Sequence, residues 1–124
     1  MLVLTGVVFL QCGGRTDMSL HTVLAIAAPT LFRDYRENQV VTAARLAGKQ
    51  VQVSGVVVSL DRDDSNGLVV SLNSGDAVLP VDILMLPSEK AAVSRLVLGD
   101  QVFVQCTEFS LYIAVLSGDG CVLK

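Results

Sequence analysis

The chain has 124 residues, of which 52% are hydrophobic, 5% aromatic and 17% charged, and this size suits one domain with a short leader. The net charge of −3 is unevenly divided: residues 1–47 carry four basic and three acidic side chains, whereas residues 48–124 carry five basic and nine acidic ones. Because phosphate binding depends on Lys and Arg, the acidic second part argues against general affinity for nucleic acids.

The chain begins with ten apolar, uncharged residues, and Cys12 follows them closely. Ten such residues are too few to cross a bilayer, but they are typical of the hydrophobic region of an export signal. A cysteine at this place, followed by glycines and polar residues, is similar to the lipidated cysteine of bacterial lipoprotein signals. The alternative is a short buried strand or leader with an inert thiol. We expect residues 1–17 to be a signal and linker with Cys12 lipidated, which predicts a cell-envelope or secreted protein.

Residues 18–47 have the composition of a helical segment. A first helix over residues 19–28 is predicted to end at Pro29, because proline interrupts the helical hydrogen bonds. Thr30 is then a plausible cap for a second helix, and Thr42 for a last short turn.

From Gly48 onward the pattern is that of β-strands. Residues 49–60 form a β-branched run interrupted by Gly55, and a glycine at such a place usually marks a bend or bulge. Residues 61–67 end in Asn-Gly and predict a hairpin loop. The later segments are strands at residues 68–72, 77–84, 101–107, 111–116 and 121–123, and a short helix that begins at Pro87.

Five strands with a helix between the third and the fourth follow the order of the OB-fold. We therefore predict a mainly β protein with flanking helices. Its main domain is a five-stranded OB-fold barrel over residues 48–124, preceded by the helical segment of residues 18–47.

Several motifs carry a resemblance to a known family. The block with Tyr35 and Asn38 is followed by a Gly-Lys pair and a strand of the form Val-x-Val-x-Gly-x-Val, and later by Gly-x-x-Val-x-Val and two cysteines. The residues are Tyr35, Asn38, Gly48, Lys49, Val51, Val53, Gly55, Val57, Gly99, Val102, Val104, Cys106 and Cys121. In these features the chain resembles the tRNA_anti-like OB-fold domain found in many bacterial proteins, often lipoproteins. The resemblance implies the fold and leaves the activity open, because a fold does not fix function.

Cys106 and Cys121 fall on predicted neighbouring strands that close the barrel. In an exported protein this pair would form a disulfide, whose loop of about 15 residues would stabilise the fold by about 3 kcal/mol. In a cytoplasmic protein the two would remain buried thiols. Cys12 is the third and unpaired cysteine, which fits lipidation.

The sequence offers no convincing metal or catalytic site. The acidic loop that begins at Asp61 looks like a calcium loop, but Leu72 stands where an EF-hand needs glutamate. His21 is the single histidine and has no partners at zinc-binding spacing. We therefore predict a protein that is not an enzyme and that needs no cofactor.

The candidate ligand-contacting residues are aromatic or polar. Phe109 and Tyr112 flank a predicted turn, where stacking aromatics could be exposed. Phe103 lies between two valines and is predicted to be buried. Tyr35 and Asn38 would either face a ligand or, more simply, anchor a helix end to the barrel, with Asn38 capping the next turn.

Together these features predict a non-enzymatic OB-fold module of an exported, lipid-anchored bacterial protein. Its partner would be a protein, a glycan or a small ligand. The alternative is an OB-fold domain that binds single-stranded nucleic acid, which the acidic barrel disfavours.

Overall fold

The structure is a computed structural model that describes residues 23–124. The predicted signal, Cys12 and His21 therefore lie outside the described residues. The strands are β1 (Val23–Ala27), β2 (Gln50–Arg62), β3 (Leu68–Leu72), β4 (Val81–Met85), β5 (Gln101–Cys106), β6 (Glu108–Tyr112) and β7 (Val115–Leu123). The helices are α1 (Ala28–Glu37), α2 (Gln39–Leu46) and α3 (Lys90–Val93), the last preceded by a 3-10 turn at Pro87–Glu89.

Five of the strands pair with one another in a closed circuit. Going round it, β2 is antiparallel to β3, β3 is antiparallel to β4, β4 is parallel to β7, β7 is antiparallel to β5, and β5 returns antiparallel to β2. Strand β6 forms a hairpin with β7. The prediction of a mainly β protein with flanking helices is therefore confirmed.

The first described strand corrects a prediction. β1 pairs in parallel with β2, so the helix predicted for residues 19–28 is wrong from Val23 to Ala27. Leu24 and Ile26 pack against the core, while Val23, Ala25 and Ala27 are exposed, which is the period-2 pattern of a strand. A short apolar run does not distinguish a strand from a helix, and this is why the sequence misled us.

The helices begin at other residues than predicted. α1 starts at Ala28 with Pro29 in its first turn, where proline costs no helical hydrogen bond. Asn38, in an extended conformation, separates the two helices, and its side chain accepts a hydrogen bond of 3.1 Å from the backbone of Val41. Asn38 is thus the cap of α2. Thr42, which was predicted to cap, lies within α2 and donates its hydroxyl hydrogen to the carbonyl of Asp34.

Gly55 permits close packing, and the irregularity of β2 lies elsewhere. The register of β2 against β3 shifts between Val57 and Ser59, whereas a bend was predicted at Gly55. A Cβ atom at Gly55 would lie 3.2 Å from the Cβ atoms of Ala28 and Leu72, which is tighter than ordinary contact. The glycine therefore lets the start of α1 and strand β3 approach β2.

The core is built almost entirely from aliphatic side chains. Strands contribute alternate residues, and α1 covers one end of the circuit with Leu31, Phe32 and Tyr35. The predicted burial of Phe103 is wrong: its side chain is 47% exposed, while Val102 and Val104 beside it are buried. Phe103 shares its face of the strand with Gln101 and Gln105, so the period-2 alternation of the whole strand indicates exposure, which the two neighbouring valines alone do not.

A disulfide lies in this core. The sulfur atoms of Cys106 and Cys121 are 2.01 Å apart, and both residues are buried. The bond joins the end of β5 to β7 beside their short pairing, in which Val104 faces Leu123 and Gln105 faces Val122. The disulfide therefore reinforces the shortest seam of the circuit.

Candidate binding site

The candidate site is a cavity of about 330 Å³ between the end of α2 and the start of β6. We call it the Tyr35–Phe109 pocket. Its volume falls at the small end of the range of ligand sites. Its walls are formed by Tyr35, Ala43, Leu46, Ala47, Gly48, Thr107, Glu108 and Phe109.

Tyr35 forms the deep wall of this pocket. It lies in the last turn of α1, it is only 2% exposed, and burial raises the pKa of its hydroxyl above the ordinary value. Among residues 23–124 the hydroxyl has no hydrogen-bond partner. Because Tyr35 is almost fully buried, it supports the pocket wall from behind and presents little surface to a ligand.

Phe109 contributes an aromatic ring that is half-buried. In the β6–β7 hairpin it faces Gly118. A Cβ atom at Gly118 would lie 2.6 Å from Cε1 of Phe109 and 3.0 Å from Sγ of Cys106. Glycine at this position therefore lets the ring lie directly against β7, next to the disulfide. That packing fixes the ring at the pocket.

Two carboxylates lie at the same end of the molecule. Glu108 is in the pocket wall and is exposed, and its direct cross-strand neighbour is Asp119. Like charges directly opposite each other on a sheet repel. Within the part of the chain that the structure describes, no Lys or Arg pairs with either carboxylate, because the three ion pairs found there use Asp34 and Asp76.

The end of α2 adds further negative character. The partial charge at a helix C-terminus is negative, since its last carbonyls lack helical partners. The chain leaves through Gly48 at φ +74°, which suits glycine. The ammonium of Lys49 donates a hydrogen bond of 2.7 Å to the carbonyl of Arg45, and its backbone N–H donates to the carbonyl of Leu46. Two of the last carbonyl groups of α2 therefore already accept hydrogen bonds from within the chain.

The structure separates the four predicted ligand-contacting residues. Tyr35 and Phe109 come together in the pocket, whereas Asn38 is occupied as the cap of α2. Tyr112 lies at the tip of the β6–β7 hairpin and is 76% exposed, beside Ile113 at 77%. Glu108, Leu46 and the end of α2 were not predicted as site residues, because their meeting depends on how α2 packs on β6.

Two other cavities formed by residues 23–124 contain none of the predicted ligand-contacting residues in their walls. One of them, about 600 Å³, lies between the β2–β3 hairpin and α3, with Arg62 and Lys90 among its wall residues. A second, about 550 Å³, lies beside α1. There Arg36 forms a 3.2 Å ion pair with Asp76 and lies 5.5 Å from the ring centre of Phe32, so its charge is already engaged.

The charge on the strands bears on nucleic-acid binding. Strands β3, β4, β6 and β7 contain no Lys or Arg, and they carry the carboxylates of Asp82, Glu108 and Asp119. The carboxylate of Asp82 accepts a hydrogen bond of 2.9 Å from Ser71 on the neighbouring strand. Such strands do not offer the basic groove that single-stranded nucleic acids require.

Two further properties of residues 23–124 limit the chemistry. No group of three or more His, Cys, Asp or Glu side chains in this range is arranged to hold a metal ion. No helix in the same range combines the length and apolar character needed to cross a membrane.

The fold and the pocket define a mainly β structure over residues 23–124, built on a closed five-stranded circuit with an open cavity at one end. The chain belongs to the tRNA_anti-like family, whose sequence model matches residues 11–119. The family resemblance predicted from the motifs is therefore confirmed over most of the chain.

Two solved structures are similar to this chain. One is a candidate nucleic acid-binding lipoprotein from Klebsiella pneumoniae subsp. pneumoniae, with a TM-score of 0.66 and 13% identity, over 90% of this chain and 99% of that one. The other is a chain of the S. pombe Stn1–Ten1 complex, with a TM-score of 0.43 and 12% identity, over 60% of this chain and 57% of that one. The first likeness shows that the fold is shared. No curated protein matches the chain significantly.

Proposed function

We propose that this protein is a non-enzymatic OB-fold binding module held at the cell envelope by a lipid on Cys12. The closed circuit supports the OB barrel. Counted from β2, its strands pair in the order one-two-three-five-four, the third and fifth are parallel, and a short helix separates the third from the fourth. A partly open barrel of this kind presents its loops and ends to ligands.

The observation that carries the envelope location is the likeness to the Klebsiella protein, which extends over 99% of that chain. That protein is named a lipoprotein, and the present chain has Cys12 one residue beyond its N-terminal apolar run. The disulfide supports export independently, because structural disulfides persist in oxidising compartments such as the periplasm.

The ligand end of the module is the Tyr35–Phe109 pocket together with the exposed hairpin tip at Tyr112. The partner is a protein, a glycan or a small ligand, and binding requires neither a metal nor a cofactor. Aromatic side chains at an open end suit such partners, because they offer a large contact area at a small entropic cost.

The anchor is tested by metabolic labelling with a palmitate analogue. Wild type is expected to be labelled, and Cys12→Ala is expected to lose the label. The double variant Cys106→Ala, Cys121→Ala is the matched control and should keep the label, because those two cysteines are buried in a disulfide. An unlabelled wild type, or label that survives Cys12→Ala, would rule out this anchor.

A second function is favoured by the name of the Klebsiella protein, which includes nucleic-acid binding. This alternative predicts binding to single-stranded oligonucleotides that weakens with salt and with replacement of Phe109 and Tyr112. The carboxylates of β4, β6 and β7 oppose it. Absence of binding at low salt in a filter or anisotropy assay would eliminate this alternative.

A further inference from the structure

We propose that Asn66 is a site of spontaneous deamidation and that the carboxylate of Asp63 slows this reaction in the folded protein. The chain has three asparagines, and Asn66 alone is followed by glycine. Glycine has no side chain to hinder an approach to its backbone nitrogen, so this asparagine is chemically the most susceptible of the three. The inference goes beyond the proposed function, since it requires neither the lipid anchor nor a bound ligand.

The reaction needs water and no other partner. The backbone nitrogen of Gly67 attacks the side-chain amide carbon of Asn66 and forms a carbon–nitrogen bond with it. The amide nitrogen leaves as ammonia, which takes up the proton that Gly67 gives up, and a cyclic imide remains. Water then opens this ring at either of its carbonyl groups, which leaves aspartate or isoaspartate at position 66.

The peptide unit between Asn66 and Gly67 is held at both ends. Its N–H donates a hydrogen bond of 2.7 Å to Oδ1 of Asp63, and its carbonyl accepts one of 3.2 Å from the guanidinium of Arg62. The backbone on either side is also paired, because the N–H of Asn66 donates to the carbonyl of Asp63 and the N–H of Asp63 donates to the carbonyl of Gly67. Ring formation turns this peptide unit toward the side chain of Asn66, and these hydrogen bonds oppose that turn.

The negative charge of Asp63 raises the barrier further. The nitrogen of Gly67 must lose its proton in the attack, and the anion that forms would lie beside a carboxylate, which raises its energy. The charge-assisted hydrogen bond meanwhile stabilises the protonated amide. Because the bonds from Gly67 and from the hydroxyl of Ser65 lower the pKa of the Asp63 carboxyl, this group is also a poor base for removing that proton.

Deamidation would change the β2–β3 hairpin. Position 66 would gain a carboxylate in a loop that already carries Asp61, Asp63 and Asp64, and like charges at such short range repel. Isoaspartate would also route the backbone through the former side-chain carbon, which lengthens the turn and disturbs its pairing with Asp63. The carboxylate of Asp63 thus protects the hairpin against a chemical change that its own sequence favours.

The test follows deamidation of the full-length protein, kept folded at neutral pH. Tandem mass spectrometry of the peptide that contains residue 66 measures the fraction in which the amide has become a carboxylate. Wild type is compared with Asp63→Ala. The matched control is Ser65→Ala, which removes the hydroxyl bond to the same carboxylate and leaves the Gly67 bond in place. Wild type unfolded in urea gives the unrestrained rate.

We expect Asn66 to deamidate in the unfolded wild type at least about tenfold faster than in the folded protein, since a lost hydrogen bond to a charged group corresponds to about this factor in rate. Asp63→Ala should accelerate the reaction in the folded protein by about the same factor, for the same reason. Ser65→Ala should react at the wild-type rate.

Four results would overturn the proposal. The first is an equal rate in folded and unfolded wild type, which needs no variant, and the second is an equal rate in folded Asp63→Ala and wild type. The third is an equal acceleration in Ser65→Ala, because general loosening of the hairpin would then explain the effect. The fourth is faster reaction at Asn38 or Asn73 than at Asn66 in the unfolded chain. Circular dichroism establishes that each variant is folded.

Discussion

Two glycines show how single residues position the core and the pocket. Gly118 leaves space for the ring of Phe109, and Gly55 leaves space for Ala28 and Leu72. In both cases the missing side chain serves close packing between elements. Neither glycine needs a left-handed conformation, because neither has a positive φ.

At the residue scale, Gly55→Ala is expected to destabilise the protein by about 1–3 kcal/mol. The added methyl group would lie 3.2 Å from two neighbouring side chains, and overpacking of a filled core carries a cost of this order. Urea unfolding measures the free energy of unfolding. The control is Ser54→Ala on the opposite face of the same strand, which should change it by less than about 0.5 kcal/mol. A Gly55→Ala protein as stable as wild type would contradict the packing role.

At the element scale, the β2–β3 hairpin is held by one carboxylate. Asp63 accepts hydrogen bonds from the backbone and hydroxyl of Ser65, at 3.0 Å and 2.9 Å, and from the backbone of Gly67 at 2.7 Å. The Gly67 bond, followed by the Ser65 hydroxyl, lowers the pKa of Asp63 below its ordinary value. Asn66 turns the chain at φ 67°.

This hairpin predicts a defined acid sensitivity. Because the pKa of Asp63 is lower in the folded state than in the unfolded state, its contribution is present above the unfolded value of about 3.9 and is lost as pH falls through the folded value. Asp63→Asn keeps an oxygen acceptor but removes the charge, so its stability should vary less with pH below about 4 than that of wild type. Thermal unfolding at several pH values measures the difference. Identical pH profiles would contradict it.

The β2–β3 hairpin was predictable because the residues that form its turn are consecutive in the sequence. Residues 61–67 contain the turn-forming types in sequence, and the structure places the loop between the end of β2 and Leu68. The prediction that Asn38 caps the turn after it is confirmed. The second predicted cap, Thr42, is wrong: Asn and Thr are both good caps, and tertiary packing decides between them. β1 was missed because its partner, β2, lies beyond two helices.

At the scale of the whole molecule, the circuit is closed by a short seam. β5 and β7 share two residue pairs, whereas β2 and β5 share six. The disulfide between Cys106 and Cys121 lies beside that seam. The covalent bond therefore compensates for the few backbone hydrogen bonds between these strands.

Removing this disulfide is expected to lower the free energy of unfolding by about 3 kcal/mol, through the chain entropy of a loop of about 15 residues. The change is Cys106→Ala together with Cys121→Ala. Denaturant unfolding measures the loss. Hydrogen exchange should increase most in β5 and β7, because the seam opens first. Uniform exchange throughout the circuit, or unchanged stability, would contradict this role.

The pattern of strands and the family motifs predicted most of the circuit, since strands and turns leave local signals and the motifs extend from Tyr35 to Cys121. The predicted strand at residues 111–116 and the turn between Phe109 and Tyr112 are wrong, because both residues lie in β6 and the chain turns at Ile113 and Ala114. The pocket was only half predicted. Tyr35 and Phe109 stood out as aromatic residues in a chain that has few, but their meeting depends on the packing of α2 against β6. No local pattern encodes a contact between elements so distant in sequence.

The register of β1 limits how far the pocket can lie from a lipid attached to Cys12. Val23 pairs with Gln50, two residues after Gly48 of the pocket, and Cys106 precedes the Thr107–Glu108 wall. The N-terminal end of β1 therefore lies at the pocket end of the molecule. Eleven residues lead from Cys12 to Val23, and an extended chain spans at most about 3.6 Å per residue. A lipid on Cys12 would confine the pocket to a layer of about 40 Å above the bilayer, where it would sample what lies beside the membrane.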